Sequence, residues 1–192
     1  MLRHTLLAFS IGLIIFMLYL MQYTGFFKSV TVAIDQRGPY TLIYKDYQGA
    51  YYKIVPTIEE VEKWAKSQGF SCRLSFGLYL DNPEVIEEGR LRAKGGCLLD
   101  PKNPEESKKF SEIKDKLPSD IKTEVFPEVK AAVALFGGSP GIGPMRVYPK
   151  AYDFIKESKL TPQGPVLEIY EIFDTKSMHT TYVWPLLEKN DP

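Results

Sequence analysis

The chain has 192 residues, 44% of them hydrophobic, 25% charged and 13% aromatic, and its 24 basic and 24 acidic side chains leave no net charge. That is one globular domain's worth of chain, without the basic excess of a nucleic-acid binder. Two cysteines, Cys72 and Cys97, and two histidines, His4 and His179, exclude a disulfide scaffold, a cysteine-rich zinc module and a histidine metal cluster. No metal and no cofactor is expected.

In chain order, the first element is apolar. Thr5–Phe27 runs for 23 residues without a charged side chain, and a helix of that length spans roughly 30–35 Å, enough for a bilayer core. Tyr19, Tyr23, Phe26 and Phe27 gather toward its end as an interfacial aromatic belt would, and Lys28 closes it. The competing reading is a cleaved signal peptide, which has a shorter apolar core and a small-x-small cleavage site. Cleavage after Thr24 or Gly25 would put Gln22 or Tyr23 at the −3 position. The pattern favours an uncleaved anchor over 1–28, with the lipid bilayer as partner through residues 5–27. Arg3 before the segment and Lys28 and Arg37 after it leave the orientation balanced.

Residues 29–188 read as one domain in which a unit occurs twice. Repeat one (29–100) has a β segment from Ser29–Ile34 through Tyr40–Tyr44. A helix follows over Thr57–Lys66, with Ile58, Val61 and Ala65 as its apolar stripe, Trp64 beside them, and Thr57 with Glu60 as a capping box. Strand Cys72–Leu80 turns through Asp81-Asn82-Pro83 and returns as Leu91–Leu99. Residues 101–120 read as a polar linker with room for one helical turn. Repeat two (121–188) has a β segment over Lys122–Phe136 and a helix from about Pro149 to Leu160, with Ala151, Tyr152 and Ile155 as its stripe. Strand Val166–Phe173 then turns through Asp174-Thr175-Lys176 and returns as His179–Trp184. Phe76-Gly77-Leu78-Tyr79-Leu80 recurs as Leu167-Glu168-Ile169-Tyr170-Glu171, the tyrosines 91 residues apart. A duplicated strand-helix-strand-strand unit predicts an α+β fold, a largely antiparallel sheet with two helices on one face.

Alternation along the strands separates two faces. Leu74, Phe76, Leu78 and Leu80 are expected under the first helix, and Leu167, Ile169 and Phe173 under the second. The other face then presents Gly77, Tyr79 and Asp81 with Glu168 and Tyr170, an aromatic-walled, acid-floored cleft suited to a cationic or aromatic small molecule. The alternative for Glu168 is a solvated strand position paired to a lysine. Cys97 falls opposite Leu74, a diagonal step of about 7–8 Å from Cys72, too far for an unstrained disulfide, so free thiols are expected. The glycine-rich stretch Gly137–Gly143 lacks the Lys-Ser/Thr of a phosphate loop, and Pro140 and Pro144 remove amide donors. It reads as a connection into the second helix.

Tyr79-Leu80-Asp81-Asn82-Pro83, Gly138-Ser139-Pro140-Gly141-Ile142-Gly143-Pro144, Leu167-Glu168-Ile169-Tyr170 and Tyr182-Val183-Trp184-Pro185-Leu186 resemble, in order and spacing, the gyrase-inhibitor-like (GyrI-like) effector-binding domains. The resemblance implies a duplicated domain that binds bulky cationic or aromatic molecules, with Glu168 meeting the cation and Tyr170, Tyr79, Trp64 and Tyr182 as walls. Arg146-Val147-Tyr148-Pro149 and Phe154–Leu160 are similar to membrane-anchored members that act as receptors for autophagy of the endoplasmic reticulum. That comparison implies a cytosolic domain if the source is eukaryotic; in a bacterium the anchor would sit in the inner membrane. The expected function is a non-enzymatic, single-pass membrane protein that binds a ligand or acts as an adaptor. In the adaptor case, Phe110-Ser111-Glu112-Ile113 supplies an aromatic-x-x-aliphatic motif for a protein partner. The alternative is a hydrolase of reactive small molecules, with Glu168 activating water and Tyr170 or Tyr79 donating a proton.

Overall fold

The computed structural model describes residues 2–172 and 178–187. Helix α1 (Leu2–Thr24) is followed by β1 (Thr31–Arg37), β2 (Tyr40–Gln48), a 3-10 turn at Tyr51–Lys53, α2 (Val55–Ser67), β3 (Leu74–Tyr79) and β4 (Arg92–Leu98). Helix α3 (Pro104–Ile113) leads to β5 (Lys122–Phe126), β6 (Val129–Phe136), α4 (Gly143–Glu157), β7 (Val166–Ile172) and β8 (Met178–Pro185). The eight strands form one antiparallel sheet in the order β1-β6-β8-β7-β3-β4-β2-β5. The α+β class and the duplication are as expected. The predicted turn at Asp174-Thr175-Lys176 and the expectation for Phe173 lie outside the described residues.

Each half is richer than a strand-helix-strand-strand unit, because its leading β segment is two strands. The first segment breaks at Gly38-Pro39 and the second at Pro127-Glu128. Proline cannot donate to a ladder, which suits a strand end. After each break the chain changes neighbour. Strands β2 and β6 stay with their own halves beside β4 and β8, while β1 crosses to pair with β6 and β5 crosses to pair with β2. The halves therefore exchange first strands. They also meet at the centre, where β3 pairs with β7 through Ser75↔Tyr170, Gly77↔Glu168 and Tyr79↔Val166. The 91-residue offset maps the first of these pairs onto the third, so the pseudo-two-fold axis passes through Gly77 and Glu168.

The two sheet faces are the reverse of the expectation. Phe76, Leu78, Leu167 and Ile169 lie on the helix-free face, packed with Leu42, Tyr44, Phe126, Ala131, Val133 and Val183, and Leu74 and Leu80 join them. The exchanged strands cause this. Short β1–β2 and β5–β6 connections draw the two ends of the sheet together, so one apolar face closes on itself without a helix. Both helices then cover the opposite face, which carries Gly77, Tyr79, Glu168 and Tyr170.

Local readings change for similar reasons. Helix α2 buries Ile58, Val61 and Ala65 as expected, but it starts at Val55 with Pro56 in its first turn. Thr57 is thus already helical and forms no capping box. Helix α4 starts at Gly143 and carries Pro149 inside it; its buried stripe is Gly143, Val147, Ala151 and Ile155, with Tyr152 turned outward. The 101–120 segment contains α3, which buries Phe110 with its ring 6.2 Å from Phe70. Glu106 accepts hydrogen bonds from the Ser71 amide and hydroxyl at 2.8 and 2.5 Å. Phe110 is only 6% exposed, so the aromatic residue of the Phe110–Ile113 tetrapeptide is packed in the core and not displayed.

The thiols are not free. Cys72 and Cys97 form a disulfide with their Cα atoms 5.5 Å apart. Cys97 stands opposite Ser75 rather than Leu74. Cys72 precedes the strand with φ of 43°, and this left-handed residue turns the chain out of register toward Cys97.

Candidate functional site

One row crosses the middle of the helix-covered face: Gly95 on β4, Gly77 on β3, Glu168 on β7 and Tyr182 on β8. Helix α2 lies over β2, β3 and β4, and α4 lies over β1 and β6, so Glu168 sits between the two helices. The row is unequal. A Cβ on Gly95 would lie 2.9 Å from Ile58 Cγ1, so the glycine side lets α2 settle directly on the sheet. A Cβ on Gly77 would lie 2.8 Å from the Tyr79 hydroxyl, so this glycine admits the Tyr79 ring. On the other side, Tyr182 occupies the equivalent of Gly95 and rises until its hydroxyl fills the place where Gly143 lacks a side chain. One half is glycine-lined and closed by its helix; the other is aromatic and holds the carboxylate.

Glu168 is 3% exposed. Tyr148, from α4, donates to its Oε1 at 2.7 Å, and Tyr170 donates to its Oε2 at 2.9 Å. The Tyr79 and Tyr170 hydroxyls, related by the internal repeat, meet at 2.8 Å. Among the described residues, the hydrogen bonds to Glu168 therefore come from tyrosines and not from a surface lysine. Lys45, at the β2 end of the row, is engaged by Glu60 and Asp120.

Burial governs the protonation of this group. It pushes the Glu168 carboxyl up to about 7, against the opposing pull of hydrogen bonds from Tyr148 and Tyr170. Burial and then the neighbouring Glu168 charge raise the phenols of Tyr148, Tyr170, Tyr79 and Tyr182 above their ordinary range. The site thus holds a carboxylate that is easily protonated at neutral pH and tyrosines that stay neutral donors.

Around it lies an aromatic cluster. Tyr148 stands edge-on to Tyr152, Tyr182 and Trp184 with centroids 5.9, 6.0 and 5.3 Å away, and Tyr182 stacks on Trp184 at 6.0 Å. On the β3 side, Tyr51 meets Tyr79 edge-on at 4.7 Å. The Tyr182 hydroxyl and Trp184 Nε1 are buried without a hydrogen bond of normal geometry. Both donors to Glu168, Tyr148 from α4 and Tyr170 from β7, are half-buried and stand between the carboxylate and the surface.

Of the residues singled out in the sequence, Glu168, Tyr170, Tyr79 and Tyr182 come together here. Trp64 does not; it packs beneath α2 against the cluster of Val61, Ala65 and Phe110. Asp81 is also elsewhere, held by the Arg92 amide and guanidinium at 2.7–3.0 Å. Tyr148, Trp184 and Tyr51 complete the site. Tyr148 was hidden by starting the helix at Pro149, although Val147, Ala151 and Ile155 at four-residue spacing mark the true buried face.

A curled antiparallel sheet with two helices astride a buried carboxylate and an aromatic cluster defines a small-molecule-binding architecture. The family model described as the GyrI-like small molecule binding domain matches residues 31–187, and the chain belongs to that family. No curated protein matches it. Among solved structures, the crystal structure of the EcmrR C-terminal domain is similar, with a TM-score of 0.59 at 13% identity over 82% of this chain and 98% of that one. The structure of SAV2435 bound to tetraphenylphosphonium is similar too, with a TM-score of 0.53 at 12% identity over 82% and 94%. At these identities the likeness is one of fold.

Proposed function

We propose that this protein is a membrane-anchored receptor for bulky organic cations, with Glu168 as the counter-charge and Tyr148, Tyr170, Tyr79, Tyr182 and Trp184 as the walls. The observation that carries this reading is a carboxylate almost fully buried at the sheet centre and bound, among the described residues, by neutral hydroxyls. A buried charge is costly without a partner, and an incoming cation supplies one. Binding, not turnover, is the role. The carboxylate that would activate water is sealed under Tyr148 and Tyr170, and the site's chemistry is complete once a cation is seated.

The anchor is α1, apolar over Arg3–Thr24 and exposed along that span. The Cys72–Cys97 disulfide supports a domain on the oxidising side of the membrane, because cytosolic thiols are kept reduced. This reading replaces the cytosolic placement. The buried Phe110 removes the sequence handle for an adaptor role.

The experiment is a titration of the full chain in nanodiscs with tetraphenylphosphonium, followed by tryptophan fluorescence. Saturable binding is expected for the wild type and its loss for Glu168→Gln. Because Glu168 must lose its proton when the cation binds, affinity should rise roughly tenfold per pH unit below pH 6 and level off above about 8. Equal affinity in both proteins, or none in a folded wild type, refutes the proposal.

A further inference from the structure

The end of α1 and the start of α4 are joined by a packed contact. The Ser139 amide donates to the Thr24 carbonyl at 2.9 Å, taking one of the acceptors that a helix C-terminus leaves open. The Lys28 ammonium donates to the Gly137 carbonyl. The Arg146 guanidinium reaches the Lys28 carbonyl at 3.4 Å and stands 5.0 Å from the Phe26 ring centroid. Two glycines make this approach feasible: a Cβ on Gly25 would lie 2.9 Å from Gly138 Cα, and one on Gly138 would lie 2.8 Å from the Thr24 carbonyl.

Helix α4 leads from this joint directly to the site. Tyr148 is two residues beyond Arg146, about 3 Å along the axis, and Tyr152 is about 9 Å along it. Met145, Tyr148 and Tyr152 lie at i, i+3 and i+7 and share one side of the helix. Met145 is 70% and Tyr152 48% exposed. They form an apolar track from the end of the anchor to the cluster over Glu168. Its far rim carries Val85, 75% exposed, and Glu84, whose charge acts on the Tyr152 phenol.

We infer that this track lies at the membrane interface and that the site is loaded laterally, by amphiphilic organic cations dissolved in the bilayer. Such molecules keep the cationic group at headgroup level and the apolar part among the acyl chains. The Met145–Tyr148–Tyr152 side accepts the apolar part, and the cationic group passes Glu84 to Glu168. The inference rests on the anchor and cation readings above, and adds a route and a ligand class.

Two measurements on the full chain in phosphatidylcholine nanodiscs test it. The first needs no ligand. Trp64→Phe leaves Trp184 as the single tryptophan, and a lipid spin-labelled at the headgroup should then quench a larger fraction of the emission than in wild type. An equal or smaller fraction places the site away from the bilayer and overturns the inference, while leaving cation binding intact. The second compares association rates of decyltriphenylphosphonium and methyltriphenylphosphonium at equal free aqueous concentration. The decyl compound partitions far more strongly, and its association should be at least about tenfold faster. Equal rates mean entry from water and overturn lateral loading. If neither compound binds although Trp184 is quenched, the cation reading fails and the ligand class with it.

Discussion

Glu168 shows how one side chain can set a pH profile. Its folded pKa of about 7 lies above the ordinary value of 4.5 because burial disfavours the charge. Between those two values the folded protein keeps a proton that the unfolded chain has released, so stability falls as pH rises through that window and stays level above it. The full effect is on the order of 3 kcal/mol. Glu168→Gln removes the ionisation but keeps a polar partner for the tyrosines. The variant is expected to match wild type in urea denaturation near pH 4 and to exceed it by up to about 3 kcal/mol at pH 8. A constant difference across that range would show that the carboxyl titrates normally. The candidate site was partly legible at this scale. Repeat spacing and strand alternation put Glu168 with Tyr79 and Tyr170, because period two places alternate residues together. Tyr148 and Trp184 escaped, since they reach the carboxylate from a helix and a strand whose positions only the assembled sheet defines. Trp64 was misplaced for the same reason: a helix stripe shows that a residue packs, not what it packs against.

At the scale of elements, α3 is the piece that composition concealed. Prolines and charges made residues 101–120 look like a linker, yet Phe110, with Ile113 and Leu117 beside it, packs the segment onto the domain. Phe110 fills the space beside Phe70, and Glu106 caps the Ser71 backbone. Phe110→Ala should lower stability by about 3 kcal/mol in chemical denaturation, the usual effect of emptying a buried aromatic position. A change below about 0.5 kcal/mol would indicate a loosely attached linker. The disulfide belongs to the same region, linking the approach to β3 with β4 across a separation of 25 residues. Closing a loop of that size stabilises by about 3.5 kcal/mol in the chain-entropy account. Hairpin geometry predicted against this bond because it took Cys72 as a strand residue, whereas the left-handed backbone there takes it off the ladder.

The whole molecule couples a duplicated sheet to a single apolar helix. If the domain faces an oxidising compartment, intact cells should yield no thiol reactive to maleimide in this protein until a reductant is added, and two afterwards. Two reactive thiols without reductant would place the domain in a reducing compartment and refute that topology. Duplication explains the fold economically, and departure from duplication explains the site. On the pseudo-two-fold axis, one half supplies glycine and the other glutamate, so a single carboxylate occupies a position where two would repel. The next residues along the row, Gly95 and Tyr182, extend the inequality: α2 settles directly on the glycine, and the tyrosine ring lies between the sheet and α4.

The amino-acid order by itself determined the apolar span, the 91-residue repeat, the α+β class and the grouping of Glu168 with two tyrosines. These follow from local periodicity, which depends on backbone geometry alone. Only the tertiary structure decided which sheet face the helices cover, that the cysteines bond, that Tyr148 closes over the carboxylate and that the end of α1 packs beside the start of α4. Each depends on the exchange of first strands between the halves, or on an approach between segments distant in sequence. Alternation separates the two faces of a strand, but the curl of the complete sheet assigns each face its partner.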